Sequence, residues 1–448
     1  MVSNMSINDP RDHIKHGDMG GFRISLVIFC VILAALDGFD VLVMAFVAPS
    51  LSASWGLSPS ALGALFSAGM IGTAIGAFFL APLGDRIGRR PIALGCLALL
   101  AVSMLASAIT REFSEMFAAR LFTGIGVGAM LATINIIITE YANDRRRSLC
   151  NAGMSVGVPL GATLGGLMSV LLISQYGWQA PFIFGGVAAI VLMPFAWKLF
   201  PESFDYLIEK QPAGALERAN QILPRLGLAP LPALPAARDP AITDGRLSDL
   251  VRSPLRAPFI ASCVMYFCIM MTFYFVSSWT PKILTDAGLS ITGGISGAML
   301  LSFGGMLGCL SFGLLAAKVG SYRLTAITMI SLFVMMLVFS NMGYHPTLLV
   351  IVALTLGFFL YSAVTTLYVV VPVSFPTTLR GSGTGIAMGV GRVGAVFGPY
   401  MAGMLIEMGW PREHYFLVLA LPVLLAALML LVLRAPQLAS QPNAISSR

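Results

Sequence analysis

Residues 24–51 read "ISLVIFCVILAALDGFDVLVMAFVAPSL". A helix needs about 20 predominantly apolar residues to cross a bilayer, and this run exceeds that. Its only charges are Asp37 and Asp40, which flank Gly38 and Phe39 near the middle. A charge at the bilayer centre costs from about 2.5 to about 17 kcal/mol, so such groups face a partner or a wet cavity. The stretch predicts a membrane-spanning helix that carries function.

The rest of the chain agrees. Hydrophobic residues make up 57% and charged ones 10%, with a mean hydropathy of +0.86. Soluble domains carry about 25% charged residues, which excludes that class. Twelve candidate spans follow: 23–50, 59–84, 91–110, 114–141, 149–173, 178–200, 257–283, 290–316, 323–342, 346–372, 381–407 and 413–434. The stretch 201–256 is Pro-rich and charged, and reads as a loop with one amphipathic helix near "SFDYLIEKQPAGALERANQIL". The expectation is an all-α membrane protein with two pseudo-symmetric six-helix halves, 23–200 and 257–434. A tail (1–22), the central loop (201–256) and a second tail (435–448) complete it.

Charge sets the orientation. Of the 27 Lys and Arg, only Arg111, Lys282 and Arg412 fall in loops on one side, and Arg120 and Arg392 fall within apolar runs. The rest lie in the tails and the loops after even-numbered spans. The positive-inside rule predicts cytoplasmic termini. The net charge of +7 reflects those loops and gives no reason to invoke nucleic acid. The N-terminus lacks a cleavable signal pattern, so the first helix would act as an uncleaved signal. The six Cys lie in or beside apolar runs without metal-type spacing, and read as small buried hydrophobes.

The halves echo each other. Shifted by 232 residues, Gly72 and Gly76 fall on Gly304 and Gly308, Arg86 on Lys318 and Gly88 on Gly320. Shifted by 234, Met154, Val156 and Gly157 fall on Met388, Val390 and Gly391. Duplicated units of this kind place a substrate site between the halves, near the midplane. Glycines at four-residue spacing in the fifth span (Gly153, Gly157, Gly161, Gly165) and the eleventh (Gly381, Gly385, Gly389) permit close helix contact.

"LGDRIGRRP" (83–91) resembles the loop between helices 2 and 3 of the major facilitator superfamily. Asp85, Arg86, Arg89 and Arg90 would form charge pairs at the cytoplasmic surface and serve as a gate, with Glu140 and Arg380 joining the same network. The sequence departs from the family at Ala81, and the second copy lacks its acid, with Ala317 where Asp85 would fall. "RLFTGIGVG" (120–128) resembles the superfamily's helix 4 motif, and "PES" (201–203) the end of helix 6. "LDGFDV", "EYANDRRR" and "LRGSGTGIAMGVGRVGAVFGP" together resemble the aromatic acid:proton symporters of that superfamily, transporters of the 4-hydroxybenzoate and protocatechuate type. The resemblance runs over nearly the whole chain. It implies import of a small aromatic carboxylate with protons by alternating access, across a bacterial inner membrane and as a monomer, with no cofactor.

The residues can be weighed beside that resemblance. Asp37 and Asp40 are three apart and share a helical face. They read as proton-coupling groups, or as a structural charge pair with Arg120 between helices 1 and 4. Neither acid recurs in the other half: at a shift of 233 they fall on Met270 and Phe273. Arg392 lies twelve residues past Arg380, about 18 Å along the helix. That depth, without an acid at its level, suggests a substrate carboxylate held bidentately. Tyr266, Tyr274 and Tyr361 are candidates to contact the ring. His13, His16, His345 and His414 lie in tails or loop ends, away from any proton relay. The rival functions are a proton antiporter exporting drugs or metabolites, supported by a partial antiporter-like "GMSVGVPLGATLGG" in helix 5, and a sensor of aromatic acids. No nucleophile, metal or phosphate motif suggests an enzyme.

Overall fold

The computed structural model describes residues 9–235, 250–252, 255–342, 346–376 and 379–439. The remaining parts of the expected tails and central loop, and His345, lie outside them. Among the described residues, twelve helices are long and apolar enough to cross a membrane. The first half holds α1 (Gly21–Trp55), α2 (Pro59–Ile87), α3 (Arg89–Ile109), α4 (Phe113–Tyr141), α5 (Arg147–Tyr176) and α6 (Ala180–Leu199). The second holds α7 (Arg256–Asp286), α8 (Ile291–Val319), α9 (Ser321–Asn341), α10 (Pro346–Val370), α11 (Arg380–Glu407) and α12 (Arg412–Ala439). With an even number of passes, both termini leave at one end, here called the tail end.

Local chemistry fixes several boundaries. α1 runs beyond the expected Ser50 because nothing stops it until Gly56, which takes a left-handed φ of 61°. Ser58 then caps α2, its Oγ accepting from the Ala61 amide at 3.3 Å, with Pro59 at the first helical position. Inside α2, Gly76–Leu80 widens into one π-helical turn. The single amphipathic helix expected after α6 is two short ones, Phe204–Lys210 and Ala215–Ile222. Pro212 has no N–H to continue the first, and Gln211 and Gly214 take positive φ between them.

Packing repeats from half to half. α1 packs on α5 as α7 packs on α11, α2 on α4 as α8 on α10, and α3 on α6 as α9 on α12. Glycines make the closest crossings. A Cβ at Gly72 would lie 2.1 Å from the Leu121 carbonyl, and one at Gly304 would lie 1.9 Å from that of Leu354. A Cβ at Gly76 would meet the Ile125 carbonyl, and one at Gly308 that of Phe358. These pairs superpose α4 on α10 at a shift of 233. The halves meet along two seams, α2 with α11 and α5 with α8, and where α1 approaches α7.

Candidate functional site

Gly38 explains how "LDGFD" is used. A Cβ there would fall 2.1 Å from the Val158 carbonyl, so α5 lies directly on the α1 backbone. The acids occupy other directions around α1. Asp40 reaches Arg120 of α4, which donates from Nη2 to Oδ1 at 3.0 Å and Oδ2 at 3.2 Å, and to the Asp40 carbonyl at 3.2 Å. Nη1 adds a second bond to Oδ1 at 3.1 Å and touches the Met104 sulfur at 3.7 Å, while Phe182 covers the guanidinium at 5.7 Å. The pair is sealed inside the first half. Asp37, also 2% exposed, has no such partner: its Oδ2 is buried without a hydrogen bond. It lies within electrostatic range of Asp40 and of Cys96 in α3.

The second half presents the opposite arrangement. Arg392 is half-buried on α11 and makes no hydrogen bond or ion pair to the described residues. Its electrostatic neighbour is Tyr368 of α10, a residue 51% exposed. Tyr266, 1% exposed, stands edge-on behind Tyr368 at 6.3 Å, and its hydroxyl has no partner. Tyr361 is buried against Gly305 and edge-on to Phe273 at 4.8 Å. Tyr274, half-buried, stands edge-on to the same Phe273 at 5.1 Å. Arg392, the four tyrosines and Phe273 form one cluster. Arg392, Tyr368 and Tyr274 keep accessible surface, whereas Tyr266 and Tyr361 build the wall behind. The sequence analysis gave Tyr368 no role, because the residue pattern of α10 does not mark its inner face.

At the tail end, the expected gate residues knit the first half together. Asp85 pairs with Arg89, which also donates to the Ala81 carbonyl at 2.9 Å. The Arg89 and Arg90 amides converge on Oε1 of buried Glu202 at 2.6 and 3.2 Å. This requires Gly88, whose φ is 104° and whose Cβ would fall 2.4 Å from Glu202 Oε2. Glu140 accepts from Ser203 Oγ at 2.8 Å, and Tyr206 donates to the Arg86 carbonyl at 3.2 Å. Glu202 is thus the hub, from a motif whose role the sequence reading had left open. Arg380, on α11, is exposed and outside this network.

From the other end the halves stay in contact as deep as Phe78 of α2, where a Cβ on Gly389 of α11 would lie 2.6 Å from the ring. Among the described residues, two hydrogen bonds cross at that far end: the Ser60 amide donates to Glu407 Oε2 at 2.9 Å, and Ser67 Oγ to the Val396 carbonyl at 2.7 Å. A Cβ at Gly403 would lie 2.5 Å from the Pro59 carbonyl. Trp279 donates to the Pro399 carbonyl at 3.0 Å and meets Phe66 of α2 edge-on at 5.5 Å. At the tail end, by contrast, a Cβ on Gly381 or Gly385 of α11, or on Gly313 of α8, would meet nothing within 4 Å. The seam is closed at the far end and open at the tail end.

Comparisons with known proteins bear on this geometry. A family model described as Major Facilitator Superfamily matches residues 28–399. A gallate transporter of Pseudomonas putida is 32% identical over 435 residues, covering 94% of each chain. A 4-hydroxybenzoate transporter of Pseudomonas aeruginosa is 27% identical, covering 95% of each. A 3-(3-hydroxy-phenyl)propionate transporter of Escherichia coli is 27% identical, covering 94% of this chain and 97% of that one. Among solved structures, a D-xylose-proton symporter shares the fold with a TM-score of 0.70 at 17% identity, covering 92% of this chain and 97% of that one. A bacterial homolog of the human lysosomal transporter Spinster, solved inward-facing and unoccupied, also gives 0.70, at 14% identity, covering 95% and 99%. The chain belongs to the major facilitator superfamily, as a multi-pass protein of a bacterial inner membrane.

Proposed function

We propose that this member of the superfamily imports an aromatic carboxylate together with protons, by alternating access between its two halves. The observation that carries the reading is Arg392: a half-buried guanidinium without a counter-ion among the described residues, in electrostatic reach of an exposed tyrosine, at the rim of a seam that is open at one end. Leaving such a charge unpaired within the membrane is costly, so it recruits an anion or water. A planar guanidinium suits a carboxylate, and the tyrosines suit a ring. The aromatic-acid relatives support the same substrate class.

The positive-inside rule assigns the tail end to the cytoplasm, which makes this conformation inward-open. Asp37 and Asp40 are the candidate proton-coupling groups, and the protein acts as a monomer. Asp85, Arg86, Arg89, Arg90 and Glu140 form the cytoplasmic gate of the first half, and Arg380 meets it when the halves close there.

The test is uptake into proteoliposomes of labelled aromatic acids and their neutral amides, with and without an imposed inward proton gradient. Concentrative uptake should require the gradient, and the acid should be strongly preferred to the amide. Loss of a charge-assisted pair contributing about 1.5–3 kcal/mol weakens binding roughly ten- to a hundred-fold, so Arg392→Ala should lose the preference. If acid-over-amide selectivity survives in a well-folded Arg392→Ala protein, the carboxylate binds elsewhere.

A further inference from the structure

Asn135 lies on α4, a helix otherwise apolar for most of its length. Its side chain is exposed, and its amide makes no hydrogen bond to the described residues; only its backbone carbonyl is engaged, by Thr139 Oγ1 at 2.8 Å. An amide in that condition within a membrane protein needs a polar partner or water.

Three observations point it at the substrate space. First, α4 is flanked by α2 and α3. Leu121, Gly124, Ile125 and Gly128 contact α2, while Gly126 faces Cys96 of α3. Arg120, Val127, Ile134 and Ile138 turn into the bundle. Asn135 lies seven residues past Gly128, on the continuation of the stripe that meets α2, yet its side chain is exposed, so α2 and α4 have parted at its level, toward the tail end where the seam opens. Second, the register that superposes α4 on α10, set by Leu121 with Leu354 and Ile125 with Phe358, places Asn135 on Tyr368. The repeats run in the same direction, so equivalent positions lie at similar depth on opposite walls. Third, Tyr368 is the exposed ring beside Arg392.

We propose that Asn135 is a specificity-determining residue, reading a hydroxyl substituent on the ring of an acid whose carboxylate Arg392 holds. An amide offers both a donor and an acceptor, which matches a phenolic hydroxyl and gains nothing from an unsubstituted ring edge. The favoured substrates are therefore ring-hydroxylated benzoates. The proposal rests on the assignment of Arg392 to the carboxylate.

The experiment measures competition by benzoate, 4-hydroxybenzoate and 3,4-dihydroxybenzoate against labelled 4-hydroxybenzoate in proteoliposomes. The native protein should prefer the hydroxylated acids to benzoate by about tenfold, the worth of one net hydrogen bond. Asn135→Ala should shrink that ratio to within about twofold while keeping the acid-over-amide preference; Asn135→Ser serves if the Ala variant does not reach the membrane. A ratio unchanged by either substitution, or a native protein that takes benzoate as readily, overturns the role of Asn135. Failure of the Arg392 assignment is read separately, from acid-over-amide selectivity surviving in Arg392→Ala.

Discussion

The two halves share a backbone plan and spend their charges in opposite ways. In the first, Arg120 has a carboxylate, a carbonyl, a sulfur and a ring around it, and neither it nor Asp40 reaches open space. In the second, Arg392 has a tyrosine in electrostatic reach and, among the described residues, no acid. Repeat symmetry fixes where helices cross, through glycines at matched positions, yet it leaves side-chain chemistry free to diverge. One half encloses its buried Arg in an ion pair, and the other leaves its half-buried Arg without an acid among the described residues.

That contrast breaks most visibly at Asp40. Removing one member of a buried ion pair costs about 3–5 kcal/mol, because the other charge is left uncompensated. Asp40→Ala should therefore lower the midpoint of thermal unfolding markedly and reduce the folded yield. The double variant Asp40→Leu with Arg120→Leu should recover much of the loss, since replacing both charges by packed apolar groups is often neutral. If Asp40→Ala is as stable as the native protein, Arg120 is satisfied by something other than the carboxylate.

Asp37 separates function from structure within the same motif. It has no ion-pair partner, so Asp37→Asn removes a titratable group with little packing change. Thermal stability should stay near native, while gradient-driven accumulation should fall at least tenfold. Counterflow exchange of substrate, which needs no net proton movement, should be less affected. Native accumulation in Asp37→Asn would remove this residue from the coupling scheme and shift attention to Asp40.

Much of this was legible in the sequence, for reasons that vary by element. The spans follow from apolar length, and the repeat from paired glycines that the structure uses as backbone contacts, Gly72 with Leu121 and Gly304 with Leu354. Arg392 stood out because a charge in an apolar run is rare. Which tyrosine faces open space was not legible. α10 carries only scattered hydroxyls, Thr347, Thr355, Ser362, Thr365 and Thr366, and no charge, so the pattern does not mark its inner face, and Tyr361 and Tyr368 are seven residues apart, nearly two full turns, on almost the same side of the helix. Their different exposure, buried against Gly305 in one case and beside Arg392 in the other, depends on neighbouring helices. Glu202 was hidden for a similar reason: its partners are backbone amides, which no side-chain motif records.

The smallest expected effect lies where the two halves meet. Glu407 of α11 accepts from the Ser60 amide in the first turn of α2, beside the capping hydroxyl of Ser58, 3.1 Å from Ser60 Oγ. A carboxylate at a helix N-terminus is stabilised by the unpaired amides and the dipole. This one comes from the opposite half, so it favours the conformation in which the far end is closed. The site is exposed and screened by water, and Phe66, Trp279 and the Ser67–Val396 bond hold the same seam, so its share is modest. Glu407→Gln keeps the size and one acceptor but removes the charge. It should shift the population away from the inward-open state roughly two- to threefold. Alkylation of a cysteine introduced by Gly385→Cys, at the open tail end, measures that population, and the rate should fall by that factor in Glu407→Gln. Phe66→Ala, which removes an apolar contact across the same seam, should slow labelling further. If alkylation is unchanged in both variants, the far-end contacts do not bias the equilibrium, and the open tail end is set by other contacts between the halves.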